Sequence, residues 1–296
     1  MADSAQELIR ALPCWRGAPQ LAPLPGGLSN RNFRVRDDAG EFVARLGQDY
    51  PFHHVLRGRE AAASLWAGEA GLAPSVHYAG RGALVTRFIA GATMDAQRLR
   101  QRLPEAIDLI ARCHRELLQR ARGEAAMFYV FHVIRDYADA LRRAGHGLAP
   151  ELTRLVALAG QLEAVQIPLP IIFGHHDLLP ANFIADAERL WLLDWEYAAF
   201  GTPLFDLANL AANCGCEGRE DEALLRQYFN QAPDAALHRA FGAMKLASAL
   251  REWLWACVSQ LHLTATGANY IAYALECRAK FERAAQVYAE QWEGPP

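Results

Sequence analysis

The stretch IIFGHHDLLPANFI, residues 171–184, decides how the rest of the chain is read. A short apolar run ends in two adjacent histidines and an aspartate, and an asparagine follows five residues after the aspartate. The spacing is H-x-D-x-x-x-x-N, set by His175, Asp177 and Asn182. Twelve residues after Asn182 comes Asp194, in LWLLDWEYAAFG (190–201). Both acidic segments follow apolar, strand-like runs, and residues just beyond strand ends are well placed to project into a cleft.

Phosphoryl transfer has few requirements: a carboxylate beside the attacking hydroxyl, hard oxygen ligands for magnesium, and cations for the nucleotide. Asp177 suits the first task; Asn182 and Asp194 suit the second. The D-x-x-x-x-N spacing also matches the kinase catalytic loop. Two other readings compete. A His-His-Asp metal site would favour zinc or iron, although adjacent histidines on a strand point to opposite faces. A polar turn between two buried strands accommodates the same residues without any chemistry. A hydrolase would need a nucleophile elbow, and the sequence has no G-x-S-x-G.

Outward from this stretch the chain divides. NFRVRDDAGEFVARLG (32–47) is two alternating runs around Asp37–Gly40, a hairpin signal. GREAAASLWAGEAG (58–71) reads as a helix closed by Gly71, with Pro74 beyond. SVHYAGRGALVTRFI (75–89) gives two more strand-like runs. After Gly91 long helical patterns take over: LPEAIDLIARCHRELLQR (103–120), then 127–145 and 150–165, interrupted by the apolar runs 167–173 and 189–195. From Phe205 onward the chain reads as mostly helix. The fold class expected is α+β and two-lobed, with a β-rich N-lobe over 1–90, a helical C-lobe over 91–296 and a seam near 87–92. Clefts between lobes are preferred ligand sites.

Within the N-lobe, PGGLSNRNFRV (25–35) places two glycines and a serine before a strand, where exposed backbone N–H groups can cradle phosphates. A plain turn explains the same residues. In EFVARLG (41–47) Val43 and Arg45 share one strand face and Phe42 and Ala44 the other. A kinase-like lobe wants a cation here. No lysine precedes residue 245, so Arg45 must serve, with Glu60 of the following helix as its partner.

Taken together these segments resemble the choline/ethanolamine kinase family, within the larger aminoglycoside-phosphotransferase-like group. The matching pieces are GGLSN (26–30), FVARL (42–46), GLAPSVHY (71–78), GHHDLLPANFI (174–184) and LLDWEYAAFGTPLFDLANL (192–210), in family order. The resemblance implies a protein-kinase-like fold that uses ATP and magnesium. Asp177 would be the catalytic base and His175 a structural histidine of its loop. Asn182 and Asp194 would be the magnesium ligands. Gly26, Gly27, Leu28, Ser29 and Asn30 would cover the phosphates, with Arg45 and Glu60 paired behind them. The segment from Thr86 through Phe88 and Ile89 to Ala90 would form the hinge that meets adenine through backbone groups. His176 stands where relatives often have asparagine or glycine, a change outside the metal-binding positions.

The acceptor implied is a small cationic alcohol, first choline or ethanolamine, then thiamine, then an aminoglycoside. Quaternary ammonium is recognised by aromatic faces with a carboxylate nearby. The candidates are Glu196 and Tyr197, then Trp253, Trp255, Tyr270 and Tyr273, with Glu252 and Asp206 as further acids. Glu252 and Trp255 share a helix face at i, i+3, while Trp253 points elsewhere. Trp255 and Tyr273 lead, although aromatic stripes on such helices also build cores. A reading of another class is a nucleotide-binding pseudokinase, against which stand the three catalytic side chains.

Composition narrows the classes. A net charge of −3 gives no basic footprint for nucleic acid. No run approaches a membrane span, and MADSAQELIRALPCW, with an early acid and no long apolar core, reads as no signal peptide. The expectation is a soluble, cytoplasmic protein with six reduced cysteines, mostly buried. Of its 30 basic residues only Lys245 and Lys280 are lysines.

Overall fold

The computed structural model describes residues 2–24, 30–80, 82–124, 126–263 and 269–292. The chain is α+β and two-lobed. It forms two compact units, Met1–Thr93 with Phe183–Tyr197, and Met94–Asn182 with Ala198–Pro296.

The first unit is built on an antiparallel sheet of β1 (Gln20–Leu24), β2 (Arg31–Asp37), β3 (Gly40–Leu46), β4 (Val76–Gly80) and β5 (Ala83–Arg87), in the order β1-β2-β3-β5-β4. The β2–β3 hairpin closes as its sequence suggests. Asp37 Oδ1 accepts the N–H groups of Ala39 and Gly40 at 2.8 and 3.2 Å, and Gly40 takes φ +137°. Strand alternation sends Phe33, Val35, Phe42, Ala44, Ala83 and Val85 to one face. Ala5, Ile9 and Leu12 pack onto that face from helix α1 (Ala2–Arg10) and the turn beyond it. Each large side chain buried here contributes roughly 1.5–3 kcal/mol. Helix α2 (Arg57–Glu69) is the single helix expected in this region; α1 is a second. The apolar residues of α1 recur at intervals of four and three, a pattern that is short and easily taken for a frayed terminus.

A smaller ladder completes the first unit. Strands β6 (Ala92–Thr93), β8 (Phe183–Ala185) and β9 (Leu190–Leu192) pair in the order β6-β8-β9, and the Leu192 N–H donates to Leu72 O at 3.0 Å. Residues 183–197 therefore belong to the first unit, whereas a boundary near residue 90 would assign them to the second.

The second unit is helical: α3 (Ala96–Gln101), α4 (Leu103–Arg120), α5 (Val130–Arg143), α6 (Leu152–Ala164), α7 (Pro203–Cys214), α8 (Arg219–Phe229), α9 (Ala235–His262) and α10 (Tyr270–Trp292). Helix α9 is the spine. It is apolar on most of its circumference, as expected of a helix packed by several neighbours, and it lies against α5, α7 and α10. One short antiparallel pair interrupts the helices, β7 (Ile172–Gly174) with β10 (Ala199–Gly201). The apolar run 167–173 forms strand only at its end, because Pro168 and Pro170 cannot donate to a ladder.

Among the described residues no helix is long and apolar enough to cross a membrane. All six cysteines are free, five buried and Cys14 half-buried. Lys245 is tied by its Nζ to Asp221 Oδ2 and Cys216 O, both at 2.7 Å, whereas Lys280 is exposed.

Candidate active site

The loop after β7 is held almost entirely by one face of α7. The His175 and His176 N–H groups donate to Asp206 Oδ2 and Oδ1 at 2.8 and 2.7 Å. The Leu178 N–H donates to Asn209 Oδ1 at 2.6 Å, and Asn213 Nδ2 donates to Leu178 O at 3.3 Å. Asp206, Asn209 and Asn213 recur at i, i+3 and i+7, which aligns them on one helix face. The approach is close enough to require glycine in both strands beneath the loop. A Cβ on Gly174 would lie 2.7 Å from Asp206 Oδ2, and one on Gly201 would lie 2.7 Å from the His176 ring.

Asp177 sits at the centre of this loop and is 8% exposed. Its N–H donates to His175 Nδ1 at 3.2 Å. Asn182 Nδ2 donates to Asp177 O at 2.8 Å and to its Oδ2 at 3.3 Å. Asn182 thus spends its N–H₂ group on the loop and presents its amide oxygen, a hard donor, to other partners. The Asp177 main chain is fixed from both sides, which is the pre-organisation a reacting carboxylate needs.

His176 does more than occupy a variable slot. It adopts φ +61°, a left-handed conformation that favours asparagine and glycine. Its ring is fully buried and stacks on Phe128, with centroids 4.7 Å apart and planes 13° apart. Nε2 bonds Ala199 O at 3.1 Å and Nδ1 lies 3.3 Å from Asp206 Oδ1. On the other side His114 Nε2 bonds Asp206 Oδ2 at 2.9 Å, and its Nδ1 bonds the Tyr228 hydroxyl at 2.7 Å. Burial works against the Asp206 charge, but His176 and His114 hold this carboxyl well below the usual carboxylate range. Asp206, considered from sequence as an acceptor-site acid, is instead the anchor of the loop.

A second cluster lies within the first unit. Arg45, on the sheet face opposite α1, donates through Nη1 to Glu60 Oε1 at 2.7 Å and to Asp194 Oδ1. The pairing with Glu60 follows from strand parity and the start of α2. Arg57 adds a second cation that the sequence pattern did not single out. Its Nη1 reaches Glu60 Oε2 at 2.5 Å and Glu196 Oε2 at 3.0 Å, and its Nε donates to Gln48 O at 2.8 Å. Asn30 Nδ2 bonds Glu196 Oε2 at 3.4 Å. Burial opposes the Arg45 charge, but Asp194 and Glu60 raise its pKa further still. Burial, reinforced by the Asp194 charge, pushes Glu196 up to about 7 against the pull of Arg57 and Arg45. A cavity of about 340 Å³ opens beside these groups, walled by Arg45, Arg57, Glu60, Gly47, Gly82 and Leu84.

Glu196, a candidate acceptor residue, bonds Arg57 and Asn30 within the first unit. It follows Asp194, which lies beyond the end of β9 and takes a left-handed φ of +64°. Tyr197 is buried. Thr86 lies on β5, and Ile89 is half-buried beyond it. The Phe88 N–H already donates to Glu41 O at 3.0 Å, which removes that donor from any base. Gly26, Gly27, Leu28 and Ser29 lie outside the described residues.

The third cluster is back in the second unit, on α9 and α10. Trp255 and Tyr273 stand at right angles, with centroids 6.1 Å apart. The Tyr273 hydroxyl donates to Glu252 Oε1 at 2.6 Å. Glu252 Oε2 accepts from Arg251 Nη1 at 2.9 Å, and that nitrogen lies 3.9 Å from Asp177 Oδ1. Trp255, Tyr273 and Glu252 therefore come together, joined to Asp177 through Arg251. Trp253 points away and packs on Phe281 beneath Arg278. Arg251 went unnoticed in the sequence, although Arg-Glu preceding an aromatic pair in REWLW was a readable signal.

The sequence pattern of the phosphotransferase enzyme family matches residues 20–241. A curated protein, LicA from Haemophilus influenzae, is 26% identical over 265 residues, covering 85% of this chain and 76% of its own length. A solved choline/ethanolamine kinase family protein from Mesorhizobium loti superposes with a TM-score of 0.77 at 28% identity, over 98% of this chain and 95% of its own. Choline kinase LicA from Streptococcus pneumoniae superposes at 0.75 over 98% and 99% of the two chains; at 19% identity it speaks for the fold.

Proposed function

The chain belongs to the phosphotransferase enzyme family, and from that premise we propose that it transfers the γ-phosphoryl group of ATP to the hydroxyl of choline. As a member it is a small-molecule kinase acting on an alcohol group. The acceptor and the residue roles are our reading. The observation that carries it is Asp177, a fixed carboxylate linked through Arg251 to Glu252 and the perpendicular Trp255–Tyr273 pair.

In this reading Asp177 accepts a hydrogen bond from the choline hydroxyl and takes its proton as the oxygen attacks the γ-phosphorus. The bond to the β-phosphate oxygen breaks, ADP leaves, and the proton passes from Asp177 to solvent. Arg45, kept charged and held by Glu60, supplies a fixed cation for the nucleotide phosphates. The donor set suits magnesium, since Asn182 presents an amide oxygen and Asp194 a carboxylate, both hard ligands. Those two residues would hold the ion, which when bound neutralises phosphate charge. The trimethylammonium group needs no hydrogen-bond partner and is attracted by ring faces and a nearby carboxylate.

The test is ADP release over choline, ethanolamine, thiamine and kanamycin. Turnover that depends on choline and exceeds the others is expected. Acceptor-independent rates across the whole panel would refute the reading.

A further inference from the structure

Arg251 is 2% exposed, a nearly complete burial that an unpaired guanidinium would not tolerate. It stands between two acids, bonded to Glu252 at 2.9 Å and 3.9 Å from Asp177. The consequence falls on Glu252. Both of its oxygens already accept a bond from inside the protein, Oε1 from Tyr273 and Oε2 from Arg251. One acceptor site on each oxygen is therefore taken, and the Arg251 guanidinium stands directly against the carboxyl group.

We propose that Arg251 is a specificity-determining positioning residue, which by occupying Glu252 makes this cluster select quaternary over primary ammonium. The inference rests on the small amino-alcohol acceptor proposed above. Choline and ethanolamine carry the same hydroxyl two carbons from nitrogen and differ in the head group. A quaternary head has no N–H and is satisfied by the Trp255 and Tyr273 faces and by diffuse charge. A primary ammonium carries three donors, and each donor left unmade on leaving water is costly. Glu252 is the carboxylate beside those rings, and its oxygens are engaged. Arg251 also gives Glu252 and Asp177 one shared cation, which ties the head-group end of the site to the hydroxyl end.

Two variants release Glu252 by different routes. Arg251→Met removes the donor to Oε2 and the neighbouring cation. Tyr273→Phe removes only the donor to Oε1, a single-atom change on a half-buried residue that spares the fold. The measurement is kcat/KM for choline divided by kcat/KM for ethanolamine, in the full-length enzyme. In both variants this ratio is expected to fall about tenfold, the worth of one charge-assisted hydrogen bond offered to the primary ammonium. A purely structural role would lower both rates together and leave the ratio in place. A ratio unchanged within twofold in folded Arg251→Met overturns the proposal; if that variant does not fold, the same result in Tyr273→Phe overturns it. A wild-type enzyme that turns over both but prefers ethanolamine also overturns it and leaves the kinase assignment intact. A wild-type enzyme that acts on neither removes the acceptor reading itself.

Discussion

The loop around Asp177 and the cluster around Arg45 are both polar and buried, yet they are held by opposite means. The loop is fixed by directional bonds to main-chain N–H and C=O groups, gathered on the Asp206, Asn209 and Asn213 face of α7. The Arg45 cluster is fixed by charge: two arginines among the acids Glu60, Asp194 and Glu196. When all three acids ionise, one negative charge is left over. Directional bonds specify a geometry, whereas opposed charges set a balance that protons and ions can shift. In the function proposed above, the proton-accepting carboxylate belongs to the first region and the cation for the nucleotide to the second.

Asp177→Ala should break the comparison most sharply, since it removes the proposed base and leaves its scaffold. Loss of a positioned base is expected to lower kcat by about 10²–10⁴-fold. Thermal stabilisation by Mg-ATP should persist; wild-type turnover in this variant would withdraw the base assignment. Asp206→Ala attacks the scaffold instead. It strands two N–H groups and leaves His114 and His176 without their buried partner, a loss of about 3–5 kcal/mol. Denaturant titration measures it, and a change below about 1 kcal/mol, the worth of a single ordinary hydrogen bond, would show that α7 does not hold the loop.

Glu196→Gln gives the smallest effect and tests the charged region alone. Glu196 rises from an ordinary value of 4.5 to about 7 in the folded protein. The folded state therefore holds more protons than the unfolded one between those values, so its contribution to stability is present below 4.5 and declines up to about 7. Asp206 behaves in the opposite sense. Its depressed pKa gives a contribution fully present above the ordinary carboxylate pKa of about 4. Between about pH 5 and 7 the Asp206 contribution is therefore constant while that of Glu196 declines. The fall in melting temperature across that range should shrink in Glu196→Gln; an unchanged fall would place the titration elsewhere.

What the sequence disclosed follows the same division. The H-x-D-x-x-x-x-N loop is local, so its spacing alone carried the reading. Arg45 and Glu60 were legible because strand parity and a helix start are short-range rules. Asp206 was visible as an acid but its hold on the loop was not, because its partners lie 30 and 31 residues away and only packing reveals them. Glu196 was read as an acceptor candidate from the family resemblance, and its bonds to Arg57 and Asn30, 139 and 166 residues away, were not legible because only packing reveals them. Arg57 and Arg251 were hidden among 28 arginines, where composition gives no reason to choose one.

That arginine bias has a practical consequence for handling the protein. The cations around Glu60, Glu196 and Glu252 are guanidinium groups, which do not react with amine-directed acylating reagents at neutral pH. Of the two lysines, Lys245 is bound to Asp221 and Cys216, and Lys280 stands exposed on α10. Acylation of side-chain amines should therefore concentrate on Lys280. A dye or a surface tether could be attached there without chemical change at Arg45, Arg57 or Arg251.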